Sequence, residues 1–331
     1  YSYYTYEQLR GPQMQSSVAA PDPDGKQKET GRPTVIKSTP TEQLSNRTLV
    51  VLIGDLRCGE HAWESLYKNV LDYNQADLAL FTHTPTQEVY RNASLWLRSM
   101  HTEIVPNYTD WSDAIDLVEN STSWRGRVAK YFTPKSHPSL LGGVPGYVAS
   151  GAIVNMLKWF VLQTMMQRGW LEQYDQFVVT RTDQFYSCPL DLGQLHPQNV
   201  WVPEGEDYGG ITDRYVIVSS DKAKAALDTI SPFLKDPAAF IKTFRPQGFF
   251  ANHKVNCEKY LLYVWQAVGL SDHLKRFQRG MYTCMAPHDR SRWGHISGFV
   301  EADGVHMKYP KEYPRAAATC QMRQTQQQSL E

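Results

Sequence analysis

Apolar positions along the chain fall alternately into short unbroken runs and longer stretches with a helical period. Thr48-Leu-Val-Val-Leu-Ile53 is a continuous, β-branched run closed by Gly54-Asp55, the pattern of a strand buried on both faces of a parallel sheet. From Glu60 to Tyr73 the spacing puts Trp63, Leu66, Tyr67 and Val70 on one helical face. A second strand is expected from Ala76 to His83, a helix from Thr86 to Met100, and a short strand from Glu103 to Val105. Residues 106–146, with Gly142-Gly143 and Pro145-Gly146, read as loop and as a candidate flap. Tyr147 to Arg168 is a long helix, apolar almost all round, and Asp175 to Thr180 is another buried strand ending in Arg181-Thr182-Asp183. Strands are expected at Asn199–Pro203 and Arg214–Val218, and helices at Asp221–Leu234 and Asn256–Val268. This alternation predicts an α/β domain in three layers, helices on both faces of a mainly parallel central sheet.

The ends read differently. Residues 1–46 carry Gly-Pro, Pro-Asp-Pro-Asp-Gly and Gly-Arg-Pro with few apolar positions, too little to offset the entropy of ordering. They are expected to form a flexible stem or linker before a catalytic domain at 47–315. Residues 316–331, rich in Gln, are expected to form a polar C-terminal tail. No run of about 18 uninterrupted apolar residues, the length that spans a bilayer, occurs. The nearest, Tyr147 to Met166, is broken by Ser150, Asn155, Lys158 and Gln163. Lys plus Arg equals Asp plus Glu at 34 each, which argues against general electrostatic binding of nucleic acid or of an anionic membrane.

Compartment is legible in two features. Four N-x-[ST] sequons, at Asn46, Asn92, Asn107 and Asn120, all lack proline in the middle position and point to passage through a eukaryotic secretory pathway. Five scattered cysteines, Cys58, Cys188, Cys257, Cys284 and Cys320, form no C-x-x-C pair. A zinc ribbon is therefore disfavoured, and an oxidising lumen allows one or two disulfides in several pairings with one cysteine left over. The chain opens at Tyr1 without a signal-peptide pattern. A preceding signal or membrane anchor is the expectation, so any membrane association lies outside this sequence.

The chemistry is narrowed first by what is missing. The sequence has no G-x-x-x-x-G-K-[ST], no G-x-G-x-x-G after the first strand, no H-E-x-x-H and no G-x-S-x-G. P-loop, dinucleotide, zincin and hydrolase sites are thereby disfavoured, and nucleotide-sugar chemistry is left as the main enzymatic reading. The sharpest positive signal is Tyr174-Asp-Gln-Phe-Val-Val-Thr-Arg181-Thr182-Asp183. A buried strand here delivers an Arg and an Asp to the carboxyl edge of the sheet, where open α/β folds bind ligands.

That phrase resembles the Y-D-x-[VI]-[VI]-x-x-R-x-D stretch of GT-A-type glycosyltransferases, in which the last Asp stands where the D-x-D motif has its final acid. The first acid is absent here. Three further segments resemble the same family in the same order: Val51-Leu-Ile-Gly54-Asp-Leu-Arg57, Asn155-Met-Leu-Lys158-Trp, and the stretch from Val200 through Gly209-Gly210-Ile-Thr-Asp213-Arg214-Tyr. With Glu258-Lys-Tyr-Leu-Leu as a late Glu-led helix, the resemblance covers roughly residues 48 to 275.

The resemblance implies a GT-A-like fold and a metal-assisted transfer of sugar from a nucleotide-diphosphate donor to a hydroxyl of a glycan or glycoprotein. Donor contacts fall on Gly54, Arg57, Lys158, Arg181 and Asp183. A divalent ion, Mn²⁺ or Mg²⁺, is expected on Asp183, and for an inverting reaction Asp213 or Glu258 serves as the catalytic base. Gly209 and Gly210 are expected to let the backbone approach a ligand closely. Arg125, Arg127 and Lys130 are a basic run with a solvated-loop reading and a diphosphate-closing one. His288, His295 and His306 are weaker candidates for a late metal ligand. The competing class is a non-catalytic secreted module that binds carbohydrate or nucleotide on the same fold. The localisation that goes with the enzyme is the lumen of the Golgi or endoplasmic reticulum, as a type II membrane protein where an anchor is present.

Overall fold

A computed structural model describes residues 47–131, 139–244, 256–289 and 300–328. The stem expected at 1–46, with the Asn46 sequon, lies outside the described residues, and so does His295. The strands are β1 Thr48–Ile53, β2 Asp77–Thr82, β3 His101–Ile104, β4 Gln176–Arg181, β5 Gln184–Tyr186, β6 Val200–Pro203, β7 Tyr215–Ser219, β8 Leu274–Phe277, β9 Met281–Met285, β10 Val300–Ala302 and β11 Val305–Met307. The helices are α1 Glu60–Leu66, α2 Ser94–Arg98, α3 Ser112–Glu119, α4 Ser123–Ala129, α5 Gly151–Gln167, α6 Trp170–Gln173, α7 Ser220–Leu227, α8 Ser231–Lys235, α9 Pro237–Phe244, α10 Cys257–Ala267 and α11 Glu312–Gln328.

Seven strands form one sheet in the order β3-β2-β1-β4-β7-β6-β8. β1 pairs in parallel with β2 and β4, β2 with β3, and β6 with β8, while β7 runs antiparallel between β4 and β6. The sheet is thus mainly parallel and the α/β expectation holds. Alternate residues of its central strand belong to different cores. Leu49, Val51 and Ile53 pack with α5, α7 and α10, whereas Val50 and Leu52 pack with α1 on the opposite face. A strand that is apolar at every position is what two covered faces require.

Several elements differ from their local pattern for identifiable reasons. The helix expected from Thr86 to Met100 is broken. Ala93 leaves the helical region at ψ 138°, and the Ser94 amide donates to Glu60 Oε1 across 3.0 Å, a long-range cap. The helix expected from Asp221 to Leu234 divides before Pro232, which sits in the first turn of α8 and cannot continue a helix from upstream. In the expected flap, residues 112–119 and 123–129 are helical, with Ala114, Ile115, Trp124 and Val128 buried in the core. Asp116 joins these two helices by accepting from Trp124 Nε1 at 2.7 Å and from Arg125 Nε at 3.1 Å.

The larger difference lies at the C-terminal side. A second, antiparallel sheet, β10-β11-β9-β5, stands beside the first, and α11 packs on it across positions expected to be tail. Glu312, Ala316, Thr319 and Cys320 are buried at helical spacing, a stripe whose polarity hides its period from a hydropathy reading. Disulfides join Cys58 to Cys284 and Cys188 to Cys320, and Cys257 takes part in neither. Among the described residues, no helix is long and apolar enough to cross a membrane.

Candidate functional site

Where β1 and β4 end, their loops are tied to one another and to the second sheet. β1 turns at Gly54, whose φ of 99° favours glycine and whose amide donates to Phe81 O at 2.9 Å. Thr182 Oγ1, just past β4, donates to Asp55 O at 2.5 Å, and Trp63 Nε1 donates to Thr182 O at 3.1 Å. The Cys284 amide of β9 donates to Asp183 O at 3.0 Å, and the Lys308 amide, just past β11, donates to Thr283 O at 2.9 Å. These contacts bring Arg57, Arg181, Asp183 and Lys308 to one open cleft of about 230 Å³. That is below the roughly 300–1,000 Å³ of sites enclosing a whole drug-sized ligand.

The charges in this cleft are organised around one buried carboxylate. Asp183 is only 1% exposed; its Oδ2 accepts from Arg181 Nη2 and lies 3.6 Å from Lys308 Nζ. Burial raises the cost of ionising Asp183, but Arg181, Lys308 and Arg57 hold its carboxyl well below the usual carboxylate range. Lys308, 4% exposed, is pushed down to about 8, first by burial and then by Arg181. Arg57 reaches Asp55 Oδ2 at 3.3 Å. Burial opposes its charge, and the carboxylates of Asp183, Asp55 and Asp289 more than offset that effect. Each guanidinium therefore has its own carboxylate, and Lys308 is a third cation.

The expected divalent ion can be tested against this donor set. Asp183 Oδ1 is buried without a hydrogen-bond partner, which by itself offers one oxygen. Mn²⁺ or Mg²⁺ asks for several oxygen ligands, and among the described residues no group of three or more His, Cys, Asp or Glu side chains is placed to hold a metal. Three cations around the same carboxylate oppose a fourth, doubly charged one. The residues fit an anion better than a divalent ion.

Of the residues read from sequence, Gly54, Arg57, Arg181 and Asp183 line this cleft together, whereas Lys158, Asp213 and Glu258 do not. The pairing of Thr180 with Tyr215 brings Asp213 and Arg214 to the same sheet edge. Lys158, one residue beyond the cleft-lining Leu157 of α5, is 3% exposed and interacts with Asp213 and Glu258. Burial pushes the Lys158 ammonium down while Asp213, Cys257 and Glu258 draw it back up. Burial, and next the charge of Asp213, push the Glu258 carboxyl up to about 7. The glycine pair meets protein rather than open cleft. A Cβ on Gly210 would strike the Glu258 carbonyl, and one on Gly209 would lie 2.9 Å from Lys259 Cε. Arg125 is bound to Asp113 and Asp116, and Arg127 to Glu119, so these two cations serve α3 and α4.

Sequence reasoning missed Lys308, His83, Trp111 and Tyr309. His83 Nδ1 lies 2.8 Å from Val105 O, a pure acceptor, so that nitrogen carries a proton. Its position as the last residue of a predicted strand was the available signal. Lys308 had none, because only the pairing of β11 with β9 brings it to Asp183. His306, the neighbouring residue singled out for a metal, does not line the cleft, nor does His288. The three described sequon asparagines, Asn92, Asn107 and Asn120, are exposed, and Asn107 lines the cleft mouth.

Residues 43–242 match the model of a family described as a domain of unknown function, DUF7796. The chain belongs to that family. No curated protein matches it significantly. Among solved structures, this DUF7796 chain is similar to apo mouse xyloside xylosyltransferase 1, with a TM-score of 0.38 and 10% identity over 70% of this chain and 85% of that one. Likeness that distant leaves the chemistry to be read from the chain's own residues.

Proposed function

We propose that this protein is a glycosyltransferase that moves a sugar from a nucleotide-diphosphate donor to a hydroxyl of a glycan or glycoprotein. The observation that carries this reading is the convergence of Arg57, Arg181 and Lys308 on one cleft at the carboxyl ends of β1 and β4. Such a cluster meets the charge that develops on a departing diphosphate, and guanidinium forks suit phosphate oxygens. In the transfer, the acceptor oxygen bonds to the anomeric carbon, and the bond from that carbon to the diphosphate breaks. The diphosphate leaves with the electron pair, and the acceptor's proton goes to a carboxylate. Asp213, at the same sheet edge, and Glu258, close enough to feel its charge, both lie outside the cleft lining and are the candidates for that base. Glu258, held near 7, is the better matched to neutral pH.

Two disulfides and the exposed sequons support a secretory-lumen setting for this reaction. The test is a donor-hydrolysis screen across UDP-, GDP- and CMP-sugars on the full chain, repeated on Arg57→Gln and Lys308→Met. Turnover of a UDP- or GDP-sugar, lost in both variants, is the expected result, and turnover of a CMP-sugar alone would overturn the diphosphate donor. Binding of a donor or sugar without turnover in any condition would favour the non-catalytic module. No binding at all would overturn both.

A further inference from the structure

Resting on that reading, we infer that the cleft holds the diphosphate of its donor with protein cations alone, Arg57, Arg181 and Lys308 taking the place of a divalent ion. Three observations carry this. The first is charge. The two cleft carboxylates, Asp55 and Asp183, are each engaged by a guanidinium from a residue two positions away, and Lys308 adds a cation that is 4% exposed and belongs to neither short-range pair. Among the residues that line the cleft, three cations thus face two carboxylates, with Asp289 acting on Arg57 from outside the lining, the reverse of a site whose lining concentrates a metal ion.

The second is the use of donors. Among the described residues, the hydrogen bonds of Arg57 and Arg181 engage only Nη2 of each, and a guanidinium has five N–H donors in all. Phosphate oxygens can be met without first breaking either pair.

The third is construction. The cations come from three separate places: the β1 loop, the end of β4, and the residue after β11. Each place is fixed to the next through Thr182, through the Cys58–Cys284 disulfide and through the Cys284 amide on Asp183 O. A cation cluster assembled from two sheets is pre-organised and needs no metal to gather its parts. Asp183, in this arrangement, is the buried counter-charge of Arg181 and Lys308 and does not ligate a metal.

The metal reading and this one diverge on Asp183. A metal ligand is lost when its carboxylate becomes an amide, whereas a counter-charge that competes with the phosphate is removed to the ligand's advantage. The experiment titrates UDP, GDP, ADP and CDP into the full chain by calorimetry, in excess EDTA and again with excess MnCl₂. At least one diphosphate is expected to bind in EDTA, with less than about a threefold change on adding Mn²⁺, and Lys308→Met is expected to weaken it by about tenfold or more. Asp183→Asn is expected to bind as tightly as the parent or more so, and to keep its affinity in EDTA.

Because Asp183→Asn leaves two cations without a buried counter-charge and can cost the fold, its melting transition is recorded first. If it does not fold, Arg57→Gln, which is expected to weaken binding in EDTA and not be rescued by Mn²⁺, carries the comparison. Binding that requires Mn²⁺, or that a folded Asp183→Asn loses, overturns the inference and leaves the transferase reading standing. If no diphosphate binds in either buffer, the transferase reading fails and the inference with it.

Discussion

Arg214 Nη1 donates to Glu312 Oε1 across 2.9 Å, and the carboxylate that receives it is wholly buried. The pair joins the residue before β7 to the first turn of α11, and so ties the central sheet to the helix that backs the second one. Glu312 also accepts from the Thr283 amide at 2.5 Å and lies 3.3 Å from Arg279, itself 3% exposed. One carboxylate thus serves two guanidinium groups and a strand amide. Arg214 stands over the ring of Tyr309 at 4.3 Å, and Tyr309 lines the cleft beside Lys308.

Glu312→Gln should therefore be among the costliest single changes outside the cleft. It leaves Arg214 and Arg279 without their buried counter-charge, a loss of roughly 3–5 kcal/mol when one partner of such a pair is removed. Chemical denaturation compares its midpoint with that of the parent. A loss within about 0.5 kcal/mol, the range of ordinary surface substitutions, would show that water reaches the group.

Gly54 and Gly210 should respond differently to alanine, because they are glycine for different reasons. At Gly54 only the backbone conformation is at stake, since no atom lies within 4 Å of the added Cβ; the cost is about 1–3 kcal/mol of strain. At Gly210 the methyl meets the Glu258 carbonyl and the Lys259 amide, so α10 must shift. Gly210→Ala should lose more stability than Gly54→Ala and also move the Glu258 titration. Equal losses would mean that the α10 terminus yields freely.

The contrast shows what local sequence can convey. Gly54, Arg57, Arg181 and Asp183 were legible because each lies at or within a few residues of the end of a buried strand, and the parallel pairing of β1 with β4 brings Ile53 opposite Arg181. The close approach at Gly210 was legible as a need for glycine but not as to its partner, which lies on a helix far along the chain. Lys308 and Glu312 were not legible. Their partners are set by the three-residue strands β5, β10 and β11, too short to show a period, and by a helix whose buried stripe includes Glu, Thr and Cys. Charge at a buried position gains its meaning from tertiary contacts, and hydropathy discards it.

Glu258 predicts a pH dependence whose sign can be worked out. Its carboxyl is raised from 4.5 to about 7 in the folded protein, so the native state holds a proton that the unfolded chain has released. The stability this contributes is fully present below about 4.5 and is lost as pH rises through about 7. Glu258→Gln should flatten that decline, gaining on the parent at about pH 8 relative to about pH 5. Activity should run the other way in the parent, rising through about pH 7 as the base ionises. A denaturation midpoint with the same pH slope in Glu258→Gln would remove this titration from Glu258.

The Cys58–Cys284 disulfide closes a loop with a sequence separation of 226 and adjoins Arg57 directly. Long loops gain most from closure in the chain-entropy account, typically about 2–4 kcal/mol. The local effect is separate. Cys58 has φ of 70° and its amide donates to Asp289 Oδ2 at 2.9 Å, so the bridge helps keep a strained turn that presents Arg57 to the cleft. Cys58→Ser with Cys284→Ser should lower the melting temperature and also weaken diphosphate binding. The pair Cys188→Ser with Cys320→Ser, at separation 132 and away from the cleft lining, should lower the melting temperature alone. Calorimetric affinities measured well below both transitions distinguish the effects. Equal affinities in the two double variants would mean that the Asp289 contact holds the Arg57 turn without help from the bridge.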